Sequence, residues 1–172
     1  MRKIRYGVAM SLDGFIAGPN GEADWIVIDP DVNFAEIWSQ FDTVLMGRHT
    51  WKAAVARLGE RAMKGVRVVV VSRTLRSEDH PDITVISDLD RDRMQALRTQ
   101  SSKDIWLMGG GELFRSLLDI GEVDTVEVSL IPVLLGAGVP LLPPPPRRAL
   151  LKLSNHKVYP SGRVSLTYEV QP

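Results

Sequence analysis

No cysteine occurs anywhere in the 172 residues, which removes disulfides and thiolate metal ligands at once. The three histidines, His49, His80 and His156, stand far apart and show none of the short spacings that hold zinc. No metal site is expected. Neither sign of charge prevails, since 21 basic residues meet 21 acidic ones. Nothing therefore steers the chain toward nucleic acid or an anionic membrane surface, and neutrality tolerates self-association. No apolar run approaches the roughly twenty residues that span a bilayer, and "MRKIRYGVAM" lacks the apolar stretch of a signal peptide. A cytoplasmic protein is expected. The apolar share of 44% beside 24% charged residues is that of an ordinary folded chain. The length suits one core better than two, so residues 1–172 are read as a single domain.

Strand-like and helix-like segments alternate. Ile4 to Met10 reads as a first strand, ended by the turn pair Asp13-Gly14, with a loop rich in Gly, Pro and Asn after it. A first helix is expected to start at "DPDVNFAEIW", with Asp29 as its cap, Pro30 at the first helical position and Asp31 in the first turn. "TVLMG" is a short apolar strand, and Trp51, Ala54, Val55 and Leu58 follow it at helical spacing. "VRVVVVS" is continuous and β-branched, as in a parallel strand buried on both faces. "ITVIS", a helix near Asp90 to Gln100, "DIWLM", and a helix striped with Leu113, Phe114, Leu117 and Leu118 complete the alternation. That order implies α/β architecture with helices on both faces of the sheet. The last third switches to period two in "VDTVEVSLIP" and "VSLTYEV", with "YPSGR" as a hairpin turn, so antiparallel strands should close the sheet. The proline run at 143 to 146 reads as a stiff connector.

Three places carry chemistry. Gly109, Gly110 and Gly111 stand between a buried strand and a helix start, where free amides and the helix dipole favour an anion and a missing Cβ lets a pyrophosphate approach. A tight turn that binds nothing explains the same glycines, and neither the Rossmann fingerprint nor a Walker motif is present. "VLMGRHTW" repeats the pattern of strand, glycine and helix start, with Arg48, His49 and Thr50 as donors. "VVVVSRT" puts Ser72, Arg73 and Thr74 at the carboxyl end of a buried strand, the edge where open α/β sheets bind ligands.

The stretches "VAMSLDGFIAGPNGEADW", "VLMGRHTW", "VVVVSRT", "IWLMGGGELFRSLL" and "VDTVEVSLIPVLLGAGVPLL", in this order, resemble the dihydrofolate reductase-like superfamily. Within it they are most similar to the group related to the C-terminal reductase domain of the bifunctional riboflavin-biosynthesis deaminase-reductase. The resemblance implies a central mixed, mostly parallel sheet with flanking helices, NADPH as hydride donor, and a homodimer. It assigns the pyrophosphate to Gly109, Gly110, Gly111, Glu112, Leu113 and Phe114, and the phosphate flank to Gly47, Arg48, His49 and Thr50. Ser72, Arg73 and Thr74 would read the adenosine 2′-phosphate, and Ala9 and Ile16 would lie against the nicotinamide. The hydroxyl-Arg-hydroxyl triplet independently favours NADPH over NADH, because charge-assisted donors gain from the extra phosphate.

Reduction of a C=N bond needs a proton at nitrogen as well as a hydride. Asp31 matches the spacing of the substrate-binding acid of dihydrofolate reductases; its plainer reading is a first-turn helix acid. Asp13, in "SLDG", and Trp25 are the substrate-side candidates, the first also readable as a turn residue and the second as a core plug. The expected activity is reduction of a small planar heterocycle or an imine-like sugar amine. The nearest named reaction is that of 5-amino-6-(5-phosphoribosylamino)uracil reductase. The alternatives are a dihydrofolate or pterin reductase, and a nucleotide-binding module without catalysis. "MGRHTW" leans toward the folate enzymes and "SLDGFIA" toward the riboflavin ones, which leaves the substrate open.

Overall fold

A computed structural model describes residues 2–59 and 63–172. Its frame is one eight-stranded sheet in the order β5-β4-β3-β6-β1-β7-β10-β9. The strands are β1 (Ile4–Ser11), β3 (Phe41–Gly47), β4 (Arg67–Val71), β5 (Thr84–Ile86), β6 (Asp104–Gly109), β7 (Thr125–Ile131), β9 (Leu151–Val158) and β10 (Val164–Val170). Pairing is parallel from β5 through β7. It becomes antiparallel where β10 joins β7 and β9 joins β10. A second, two-stranded sheet pairs β2 (Phe15–Ala17) with β8 (Val139–Pro140). The helices are α1 (Phe34–Ser39), α2 (Arg48–Leu58), α3 (Arg91–Gln100) and α4 (Gly111–Asp119).

The side-chain alternation of the strands sorts the core into two layers. Ile4 and Tyr6 of β1, Leu45 of β3, Val69 of β4 and Ile105 and Leu107 of β6 pack with Met94 and Leu97 of α3 and with Leu113, Phe114, Leu117 and Leu118 of α4. On the other face Val44, Met46, Val68 and Val70 pack with Trp38 of α1, Trp51, Ala54 and Val55 of α2, and Trp106 and Met108 of β6. Leu58, the fourth residue of the expected α2 stripe, has its side chain outside the described set. β1 turns Arg5, Gly7, Ala9 and Ser11 to this second face, and there Trp106 lies over Gly7, donating from Nε1 to the Gly7 carbonyl at 2.9 Å.

One sequence expectation is corrected. The first helix does not begin at Asp29 to Asp31 but at Phe34, where Asn33 caps it by accepting from the Glu36 amide at 3.1 Å. The Asp29 carboxylate is drawn elsewhere: it accepts from the Asp31 amide at 2.9 Å and from the hydroxyl of Ser161, in the β9–β10 turn. A distant hydroxyl outcompetes the local cap.

Candidate functional site

The carboxyl ends of β4, β3 and β6 are neighbours in the sheet, so the three donor-bearing loops meet at one edge. Register brings Gly47 opposite Val71 and Met46 opposite Gly109. A Cβ on Gly47 would stand 3.9 Å from both the Gly109 carbonyl oxygen and the Gly110 nitrogen. Two of the three successive glycines are explained by the fold. Gly109 has φ of +127°, which L side chains rarely adopt, and a Cβ on Gly111 would lie 2.8 Å from the Pro140 carbonyl oxygen and 3.0 Å from Pro143 Cδ. Gly110 has neither constraint: only Thr50 Oγ1, at 3.5 Å, would touch its Cβ. A side chain there would meet only that hydroxyl. Gly110 is the N-cap of α4 and offers no side chain to the helix amides, so the first-turn donors have no capping side chain.

Arg48 opens α2 and reaches the third loop, donating from Nη1 to Thr74 Oγ1 at 2.7 Å, with His49 Nε2 3.4 Å from Nη2. Ser72 is nearly buried and accepts from the Thr74 and Leu75 amides at 3.2 and 3.1 Å, shaping a compact turn. Arg73 is exposed and makes no side-chain bond among the described contacts. Glu112 is exposed, whereas Leu113 and Phe114 are core residues that can offer only main-chain atoms to a ligand. Phe114 stacks on Tyr6 with ring centroids 3.9 Å apart.

Ala9 sits on β1, on the face shared with Gly7 and Ser11. Ile16 lies on β2, which packs against β1, while β8 runs beside β2 and carries the segment that seats on Gly111. Asp13 holds these parts together. Its carboxylate accepts from the Ser11 hydroxyl at 2.7 Å, the Gly136 amide at 2.7 Å and the Leu135 amide at 3.1 Å. The Ser11 hydroxyl and those amides hold its pKa below the usual carboxylate range. Trp25 is half-buried and donates to the Glu22 carbonyl at 3.1 Å, within a loop that Arg57 ties to α2 through the Ala23 carbonyl.

Asp31 is exposed and its carboxylate bonds nothing among the described contacts. Asp29, two residues earlier, is 5% exposed. The Ser161 hydroxyl, then the Asp31 amide, with Arg163 and Lys157 adding their charge, lower its pKa. Sequence reasoning named Asp29 only as a cap and Arg163 only as part of a turn; no local pattern joins two segments so far apart in the chain. No group of three His, Asp or Glu side chains among the described residues could hold a metal ion. No helix among them is long and apolar enough to cross a membrane.

A mostly parallel sheet closed by two antiparallel strands gives the chain a dihydrofolate reductase-like fold. The chain belongs to the RibD C-terminal domain family, whose sequence profile matches residues 2–165. It is 34% identical to the uncharacterized protein YyaP of Bacillus subtilis (strain 168), over 97% of this chain and 94% of that protein. Its fold is similar to a diaminohydroxyphosphoribosylaminopyrimidine deaminase/5-amino-6-(5-phosphoribosylamino)uracil reductase from Thermotoga maritima, with a TM-score of 0.72 and 19% identity, covering 99% of this chain and 57% of that one. It is also similar to dihydrofolate reductase from Enterococcus faecalis complexed with NADP(H) and RAB-propyl, with a TM-score of 0.70 and 15% identity, covering 99% and 97%.

Proposed function

We propose that this chain is an NADPH-dependent reductase that reduces a small planar heterocycle or an imine-like sugar amine, the nearest named activity being 5-amino-6-(5-phosphoribosylamino)uracil reductase. The observation that carries the reading is the unfilled backbone at Gly110, framed by Gly47 and by the Ser72 to Thr74 turn on adjacent strands. NADPH, when bound, supplies the hydride. The α4 amides would hold its pyrophosphate, Arg48, His49 and Thr50 would flank the phosphates, and Ser72, Arg73 and Thr74 would take the 2′-phosphate. Arg48, already bonded to Thr74, fixes the two loops relative to each other before any ligand arrives, and so lowers the ordering cost of binding. Ala9 and Ile16 would wall the nicotinamide. Asp31, exposed in the loop that precedes α1, would bring the proton.

The family and the Thermotoga neighbour support reduction of the riboflavin-biosynthesis type, and the NADP(H) complex of the Enterococcus neighbour supports the choice of cofactor. Titration with NADPH followed by tryptophan fluorescence, then turnover with a panel of pyrimidines and pterins, tests the proposal. Saturable binding with oxidation of NADPH by a pyrimidine supports it; turnover of dihydrofolate alone favours the folate reading. Binding without any turnover leaves a nucleotide-binding module. Asp31→Asn should lower turnover while NADPH affinity is kept, and an unchanged rate removes Asp31 from the chemistry. We further propose a homodimer, supported by the open edge strand β9 with exposed Leu151, Leu153 and Val158; a monomer by sedimentation would contradict it.

A further inference from the structure

The sheet face that carries Gly7, Ala9 and Ser11 continues onto β7 as Glu127, Ser129 and Ile131, because Ala9 is the register partner of Ser129. Arg163, which closes the turn before β10, reaches that face and donates from Nη2 to Ser129 Oγ at 2.6 Å. Its guanidinium is therefore one strand away from Ala9. The residue is only 9% exposed. Among the described residues its Nε is buried without a hydrogen-bond partner, Nη1 makes no bond, and no carboxylate lies within ion-pair distance.

The surroundings do not supply the missing acceptor. Asp29 already accepts from the Ser161 hydroxyl and the Asp31 amide. The Tyr159 ring has Arg163 Cζ at 5.5 Å and Lys157 Nζ at 4.6 Å from its centroid. Arg163 and Lys157 both add their charge at Asp29, and neither forms an ion pair with it among the described residues. A guanidinium withdrawn from water is costly unless its donors meet an acceptor, and its planar fork fits an oxyanion two donors at a time. The cofactor-phosphate loops follow β3, β4 and β6, and β1 separates β6 from β7. This donor set is distinct from them.

We propose that Arg163 anchors an oxyanion subsite beside Ala9, with Ser129 and Lys157 at its edge, and that it takes a carboxylate or phosphate carried by the substrate. Its assignment to the substrate rests on the reductase reading; the anion site itself does not. The test uses the full chain labelled with ¹⁵N, in which the Arg163 Nε–H resonance is identified as the signal missing from Arg163→Gln. If that variant does not fold, Arg163→Lys, which keeps the charge and loses the Nε–H, identifies the same signal.

Inorganic phosphate and acetate are titrated separately. A saturable shift of that resonance with either supports the site: phosphate alone assigns a phosphoryl group, acetate alone a carboxylate. A resonance that ignores both overturns the proposal whether or not NADPH binds. An NADPH titration of the same sample judges the reductase reading by itself. Among compounds that are turned over, Arg163→Gln should raise KM about tenfold or more for those bearing an oxyanion and leave neutral analogues unchanged. Equal change in both groups would remove the substrate from this subsite.

Discussion

At the scale of single residues, the most informative atoms are those whose bonding is incomplete. The Tyr6 hydroxyl is buried without a partner among the described residues, and burial pushes its pKa well up. An unsatisfied phenol costs free energy that phenylalanine would not, while the stacking on Phe114 is kept. Tyr6→Phe should leave stability to urea unchanged or raise it by about 1 kcal/mol. A clear loss would show that the hydroxyl has an acceptor in solution. Arg73 is the opposite case, an exposed cation with no described partner at the edge proposed for the 2′-phosphate. Arg73→Ala should weaken NADPH by about 1.5 to 3 kcal/mol, the range for bonds to charged groups, and leave NADH nearly unchanged; equal weakening of both in fluorescence titrations would contradict its role.

Among the elements, those with a strong internal pattern were legible. β4 is read directly from its β-branched run, and α4 from Leu113, Phe114, Leu117 and Leu118, because burial on known faces imposes those periods. The start of α1 lies beyond its sequence expectation because Asp29 has every local mark of a cap, and only the β9–β10 turn, folded over it, supplies the competing Ser161. The short strands β2 and β8 leave too little sequence for a period and exist through their pairing with each other. That pairing has a consequence for α4, since β8 brings the Pro140 carbonyl against Gly111. Gly111→Ala should destabilise by about 1 to 3 kcal/mol in chemical denaturation, because a backbone oxygen cannot turn aside as a side chain can. Wild-type stability in that variant would mean that the segment from Val139 to Pro143 is loosely held.

For the molecule as a whole, one buried ion cluster ties α3 to the segment entering β7. Arg98, 4% exposed, donates to Asp124 Oδ2 at 2.6 Å and to Glu122 Oε2 at 3.2 Å. Its Nη1 also donates to the Arg2 carbonyl at 2.6 Å, which joins the segment ahead of β1 to the same cluster. Arg98→Met would leave Glu122, 5% exposed, without its counter-charge. The expected loss is about 3 to 5 kcal/mol, seen as a fall in Tm with retained fold at low temperature. A loss below about 1 kcal/mol would mean that water reaches Glu122.

The sequence by itself determined the α/β alternation, the switch to antiparallel strands near the end, and the three donor-bearing loops, since each is written in neighbouring residues whose spacing matches a backbone period. Tertiary structure decided the rest. Only strand order could set the ends of β3, β4 and β6 side by side, and only long-range packing could separate the glycines needed by the fold from the one left bare. The Asp29, Ser161, Arg163 and Ser129 constellation is of the same kind, because hydrogen bonds between remote segments leave no mark on the residues next to them in the chain.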